Sequence, residues 1–217
     1  MGSGLAHGGS EWENLGEKDG IQTFRKSEAG SSLLIMKGSG VVDAPLPIVY
    51  AVFHDAERTP EWMPDTLEKK ILVPNSGLHS RIALTRVDMP WPLDDRYFIA
   101  ESKARMQRDG TLVLRTKSTT TIHYEMEDCV KGEIKYSQTI LEPIGSGQTK
   151  VTIEMKTDPK GELPAWLVNK STKSWPYKFI SGIRQQVTKS NLKIVELPKP
   201  IGDPVIKGPS LIPAAAH

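Results

Sequence analysis

The chain has 217 residues, enough for one domain with tails. Its 28 basic and 26 acidic side chains nearly cancel, so it lacks the basic excess typical of nucleic-acid binders. Cys129 is the only cysteine, which excludes an internal disulfide and a multi-cysteine metal site, and no apolar run approaches the ~18 residues of a membrane-spanning helix.

In chain order, residues 1–10 are Gly/Ser-rich and read as a tag or linker, without the apolar stretch of a signal peptide; the compartment stays open. Segments 20–27 and 32–44 predict two strands around the turn EAGSS. The next stretch, APLPIVYAVFHDAER, predicts a short helix: Ile48, Val49, Val52 and Phe53 recur at helical spacing, and Pro47 sits in the first turn, where a missing N–H is harmless. Six β-rich stretches follow between Thr66 and Pro159, with short links. Links that short mean antiparallel hairpins. In KVTIEMKT, Val151, Ile153 and Met155 alternate with Thr152, Glu154 and Lys156, which predicts a sheet with one covered and one wet face.

The last element starts at Pro164. Trp175, Phe179, Ile180, Ile183 and Val187 share one helical arc, while Leu163, Trp166 and Leu167 would fall on nearly the opposite side of an unbroken helix. Pro176 removes a hydrogen bond and Trp175 before it avoids helical angles. A break near Ser174–Pro176 is therefore expected, turning both apolar faces to one sheet. Residues 198–217 form a proline-rich tail that can be neither helix nor central strand. The folded unit is expected over residues 11–197.

Three groups of residues now carry a resemblance: Glu61-Trp62; Pro92-Leu93 with Arg96 and Phe98; and Asp158-Pro159, Gly161, Pro164, Trp166 and Asn169. In their order and spacing, over about residues 12–195, the chain resembles the START (StAR-related lipid transfer) domain, of the helix-grip or Bet v 1-like superfold, and is most similar to its bacterial members. The resemblance implies an α+β fold, a curved antiparallel sheet wrapped around a long C-terminal helix, with an internal apolar cavity for one lipid. The helix and adjoining loops would act as its gate. The chain departs from the family pattern at Tyr97, where Asp is usual. Ala83 and Ser102 stand where some sterol-binding members place an acid and an Arg, which points away from sterol-type recognition.

No chemistry-bearing motif competes with this reading: there is no GxSxG, HExxH, Walker loop or GxGxxG. GSGQTK is a hairpin turn by position, and the ligand-type residues of HYEMEDC alternate between faces. Asp94 and Asp95 point to opposite faces and fit an Arg-paired turn better than an acid–base pair. The expectation is a monomeric binding protein, not an enzyme, without metal or cofactor, whose partner is a lipid or other apolar small molecule. Ligand contacts are expected from Arg96, Trp91, Phe98, Trp166, Trp175, Phe179 and Ile183, with Arg96 as a polar anchor or, alternatively, a structural ion pair. Lys170, Lys173 and Lys178 beside exposed tryptophans would suit transient docking on a membrane surface. The rival is a cyclase/aromatase-like enzyme of the same superfold, which would need acid–base groups inside the cavity.

Overall fold

The computed structural model describes residues 11–77, 79–189 and 191–200. The expected linker at 1–10 and most of the proline-rich tail lie outside them. Ten strands form one sheet: β1 (Glu13–Lys18), β2 (Ile21–Glu28), β3 (Ser31–Val42), β4 (Thr66–Gly77), β5 (Ser80–Val87), β6 (Asp95–Met106), β7 (Leu112–Ser118), β8 (Cys129–Lys131), β9 (Glu133–Ile144) and β10 (Gln148–Asp158). Three helices accompany them: α1 (Leu46–His54), α2 (Ala165–Thr172) and α3 (Trp175–Gln186). The sheet order is β1-β2-β3-β10-β9-β7-β6-β5-β4, so the chain closes a long crossover between β3 and β10. The main path is antiparallel throughout; the short β8 pairs parallel with β6 at Asp95–Tyr97, beyond the end of β7.

The elements form where sequence chemistry places them. α1 begins with Pro45 at its N-cap and Pro47 in the first turn. The expected break falls at Lys173–Ser174, with Pro176 entering the first turn of α3. Phe179, Ile180 and Ile183 are fully buried and Trp175 and Val187 pack beside them. Burial of one such side chain stabilises by about 1.5–3 kcal/mol. An aromatic cluster ties α3 to α1 and to the 3-10 turn Thr59–Glu61: Trp175 stacks on Phe179 at 4.7 Å, Phe179 meets Trp62 at 5.4 Å, and Trp62 meets Phe53 at 5.5 Å. Two glycines permit this seat. A Cβ on Gly182 would lie 2.0 Å from the Trp62 carbonyl oxygen, and one on Gly38 would lie 2.7 Å from Pro176 Cβ. Only a residue without a side chain lets α3 approach both backbones this closely.

The second apolar face expected at the start of the last helix does not form. Trp166 is 66% exposed, and α2 instead buries Val168 against β3, where Asn169 Oδ1 accepts from Leu34 N–H and Asn169 Nδ2 donates to Ser32 O. The one-wet-face expectation also fails. Thr152, Glu154 and Lys156 are buried although they point away from α3. Lys37 covers that face by lying over the rings of Trp12 and Phe24, Ser39 bonds Thr152 side chain to side chain at 3.1 Å, and Lys156 pairs with Glu28. Further along the sheet, Ile82, Leu84, Tyr97 and Ile99 form a second apolar cluster on this outer face, roofed by Ile122, Tyr124 and Met126 from the β7–β8 connection. Tyr97 is fixed there by its hydroxyl, which donates to Tyr124 O at 3.2 Å.

Candidate functional site

The concave face follows from the pairing register. Arg81, Ala83 and Thr85 of β5 stand opposite Ser102, Ala100 and Phe98 of β6, and Ala100, Ser102 and Ala104 stand opposite Ser118, Thr116 and Leu114 of β7. Strand alternation puts the Ile82–Leu84 cluster on the other side, so this face looks toward the helices. Its middle is built of small side chains: Ala83, Ala100, Ser102 and Ala104. α3 rests mainly on β2 and β3, at the other end of the sheet. Small residues line this part of the wall, and the helix is seated to one side of it. A polar row crosses it, with Arg81 opposite Ser102 and the hydroxyls of Ser102 and Thr116 2.8 Å apart.

The charged groups at the rim of this face gather at the C-terminal end of α1. Arg81 donates to His54 O at 3.0 Å and to Phe53 O, carbonyls that the helix itself leaves without partners. His54 Nε2 lies 3.0 Å from the Tyr50 hydroxyl. Burial, then repulsion from Arg81, Lys69 and His79, drives the His54 pKa down to about 4, so the imidazole is neutral at pH 7. Lys69 faces the same side, opposite Thr85. Burial, with added repulsion from Arg81, lowers its pKa to about 8. Burial likewise lowers Arg81 and raises Tyr50.

The residues expected to hold the ligand separate into three groups. Arg96 is buried, but its guanidinium is committed: Nε donates to Pro159 O at 3.1 Å, Nη2 to Lys160 O at 3.3 Å, and Nη1 to Asp94 O. It therefore pins the 158–161 loop to the start of β6, and neither the headgroup anchor nor the acidic ion pair describes it. The carboxylate of Asp95 pairs with a different arginine, Arg86, whose Nη2 donates at 2.6 Å. Phe98 is buried over Gly132, where a Cβ would lie 2.3 Å from the ring. Trp175, Phe179 and Ile183 belong to the packed core. Trp91 is 93% exposed and Trp166 66% exposed, so both stand on the outer surface instead of lining the interior.

Sequence reading missed Lys69 and Arg81. One of the two lysines in EKKILVP and an Arg flanking IAL look like ordinary solvated charges. Alternation alone places Arg81 and Ala83 on one face and Ile82 and Leu84 on the other, and the apolar pair would be taken for the interior. The roof of Ile122, Tyr124 and Met126 reverses that assignment.

Comparison with known proteins agrees with this architecture. Residues 5–193 match the START domain family. An uncharacterised protein of Pseudomonas aeruginosa is 27% identical over 183 residues, covering 82% of this chain and 88% of its own. The phosphatidylcholine transfer protein of Mus musculus is 24% identical over 177 residues, covering 79% of this chain and 81% of its own. Among solved structures, a STAR-related lipid transfer protein from Xanthomonas axonopodis superposes with a TM-score of 0.74 at 23% identity, over 82% of this chain and 99% of that one. Human STARD10 gives the same TM-score at 20% identity, over 82% and 74% of the two chains. With curved sheet, seated helix and a match over most of its length, the chain belongs to the START domain family.

Proposed function

We propose that this protein encloses one lipid or other apolar small molecule between the concave wall of β5–β7 and α3, and carries or senses it. The observation that supports this most directly is the wall itself. Alanines and serines occupy positions that a solid core would fill with large side chains, while α3 rests on β2–β3. Desolvation of acyl chains supplies the affinity at about 25 cal/mol per Å² buried, and no acid–base group is needed for it. Family membership and relatives named as lipid transfer proteins favour the same reading over a cyclase-like enzyme.

Entry requires a gate, which we assign to α3 and the loops beside α2. The break at Lys173–Ser174 lets α2 and α3 move separately. Trp91 and Trp166 lie in sequence near the 90–95 and 158–164 loops that Arg96 ties together, and Lys170 and Lys173 lie in or next to α2. Exposed indoles and lysines suit the headgroup level of a membrane surface.

Organic extraction of the purified protein followed by mass spectrometry tests the reading. One lipid per chain is expected; no lipid, together with no uptake from vesicles, would refute it. For the gate, a disulfide between cysteines at 40 and 180 (Gly40→Cys, Ile180→Cys, with Cys129→Ser) ties α3 to β3, since a Cβ on Gly40 lies 3.3 Å from Ile180 Cγ2. Lipid exchange should stop when it forms; unchanged exchange would rule out helix opening.

A further inference from the structure

The family match ends at residue 193, yet the chain keeps a defined course to residue 200. Residues 191–200 continue from the end of α3 without regular secondary structure and close on β6, where Pro200 forms a parallel bridge with Met106. Along this strap Leu192, Val195 and Leu197 pack against the main core and Pro198 is buried, while Ile194 is exposed. The core beneath includes Met106, Leu112 and much of α1. Proline restricts both itself and the residue before it to extended angles, so Pro198 and Pro200 stiffen the strap before it packs.

The two ends of α3 are held unequally. At the C-terminal end the Glu61 carboxylate accepts from Gln186 Nε2 at 3.2 Å and from Lys189 Nζ, and Arg58 Nη1 donates to Asn191 Oδ1. Arg184 Nε donates to Val41 O at 2.8 Å. The strap adds its apolar contacts beyond these bonds. At the N-terminal end the chain breaks at Lys173–Ser174, and α2 before the break buries only Val168 and is tied to β3 by Asn169. Pro176 rests on Gly38, which has no side chain to interlock with it. The polar ties at this end, Tyr177 to Asp19 and Lys178 to Asp65, are exposed and contribute little.

We propose that residues 191–200 are an anchoring strap, most of it beyond the matched family region, that fixes the C-terminal end of α3, so that the helix opens only from its N-terminal end and carries α2 with it. The inference rests on the lipid-carrier reading and deepens its gate by naming the fixed and the moving end. The geometry gives such a hinge leverage. A helix of 12 residues is about 18 Å long, so a rotation of roughly 15° about its C-terminal end moves its N-terminal end by about 5 Å. The C-terminal contacts with Trp62 and Glu61 stay nearly in place during that rotation, because they lie close to the pivot.

The test follows amide hydrogen exchange by mass spectrometry in the full chain, with lipid transfer measured in parallel. Three proteins are compared, each at the same number of degrees below its own Tm: wild type, L192S/L197S, which loosens the strap, and L84A, which weakens the outer cluster away from α3. In wild type, residues 179–181 should exchange faster than residues 183–186. L192S/L197S should remove that difference and raise exchange over 183–186 at least about tenfold above L84A, the scale expected when two half-buried leucines lose apolar contact. It should also release a bound fluorescent phosphatidylcholine to phosphatidylcholine vesicles faster than L84A does. A strap that merely covers the core would lower Tm and leave exchange over 183–186 at the L84A level, which would overturn the proposal. Faster exchange of 183–186 than of 179–181 in wild type would overturn it too, by putting the free end on the other side. The expected exchange pattern, with no co-purified lipid and no uptake from vesicles, would support the strap and overturn the carrier reading. Should L192S/L197S not fold, N191A, which removes only the bond from Arg58, gives the same comparison.

Discussion

Gly182 gives the sharpest test of how α3 is seated. In an exposed helix, Gly→Ala stabilises by about 1 kcal/mol, since alanine has the better propensity. Here the new Cβ would lie 2.0 Å from the Trp62 carbonyl oxygen and 2.9 Å from its carbonyl carbon. Those are backbone atoms, so no rotamer change relieves the contact. α3 or the Thr59–Glu61 turn must move by more than 1 Å, roughly, to reach ordinary van der Waals separation. That displacement would disturb the contacts of Phe179 with Trp62 and Phe53. Overpacking of this kind costs about 1–3 kcal/mol, and displacement of a main-chain segment falls at its upper end. After the propensity gain is subtracted, G182A should lose about 2 kcal/mol. For a chain of this size that lowers Tm by roughly 4–8 °C. Thermal melts followed by near-ultraviolet circular dichroism would report both the shift and the tryptophan environment. A melting point equal to or above wild type would refute the close approach of α3 to Trp62.

Other consequences follow from the same geometry. R96K should lose about 2 kcal/mol in urea melts, because an ammonium cannot meet three divergent carbonyls as a guanidinium does; bound lipid per folded chain should not change, and a selective fall in lipid occupancy would restore Arg96 as a ligand anchor. His54 is neutral in both folded and unfolded chains above its ordinary value of 6.5, but between 6.5 and about 4 only the unfolded chain takes up the proton, so stability falls as pH drops through this window. H54Q should flatten that acid limb, and an unchanged slope of Tm against pH would contradict the depressed imidazole. The double variant W91S/W166S should slow transfer between vesicles with little change in Tm, since both rings are exposed; slowed transfer with a comparable loss of stability would argue against membrane docking.

Much of the fold was legible because periodicity is local. The alternation in β10, the helical arc of Phe179, Ile180 and Ile183, and the proline that divides α2 from α3 are each visible within one segment. Two strands were not. β1 is a polar edge strand whose Glu13 and Lys18 show no apolar alternation, with an irregularity between Asn14 and Gly16. β8 has three residues and exists only because β7 stops short of the start of β6. The candidate site was less legible, because every residue expected there was chosen for being large and aromatic or for belonging to a motif. Trp91 and Trp166 carry the aromatic signal yet point outward, and Arg96 carries the motif signal yet is consumed by three carbonyls.

The sequence by itself therefore determined the order of the longer elements from β2 onward, the break in the last helix and membership in the START domain family, since these depend on spacing along the chain. It could not determine which face of the sheet is the inside. Period-two alternation distinguishes the faces but does not name them, and here both bear apolar side chains. Only the tertiary structure, by laying Ile122, Tyr124 and Met126 over one face and α1 and α3 over the other, turned Lys69 and Arg81 inward. The physical reason is that burial belongs to what packs above a residue, and that partner comes from a different segment of the chain, beyond the reach of any local pattern.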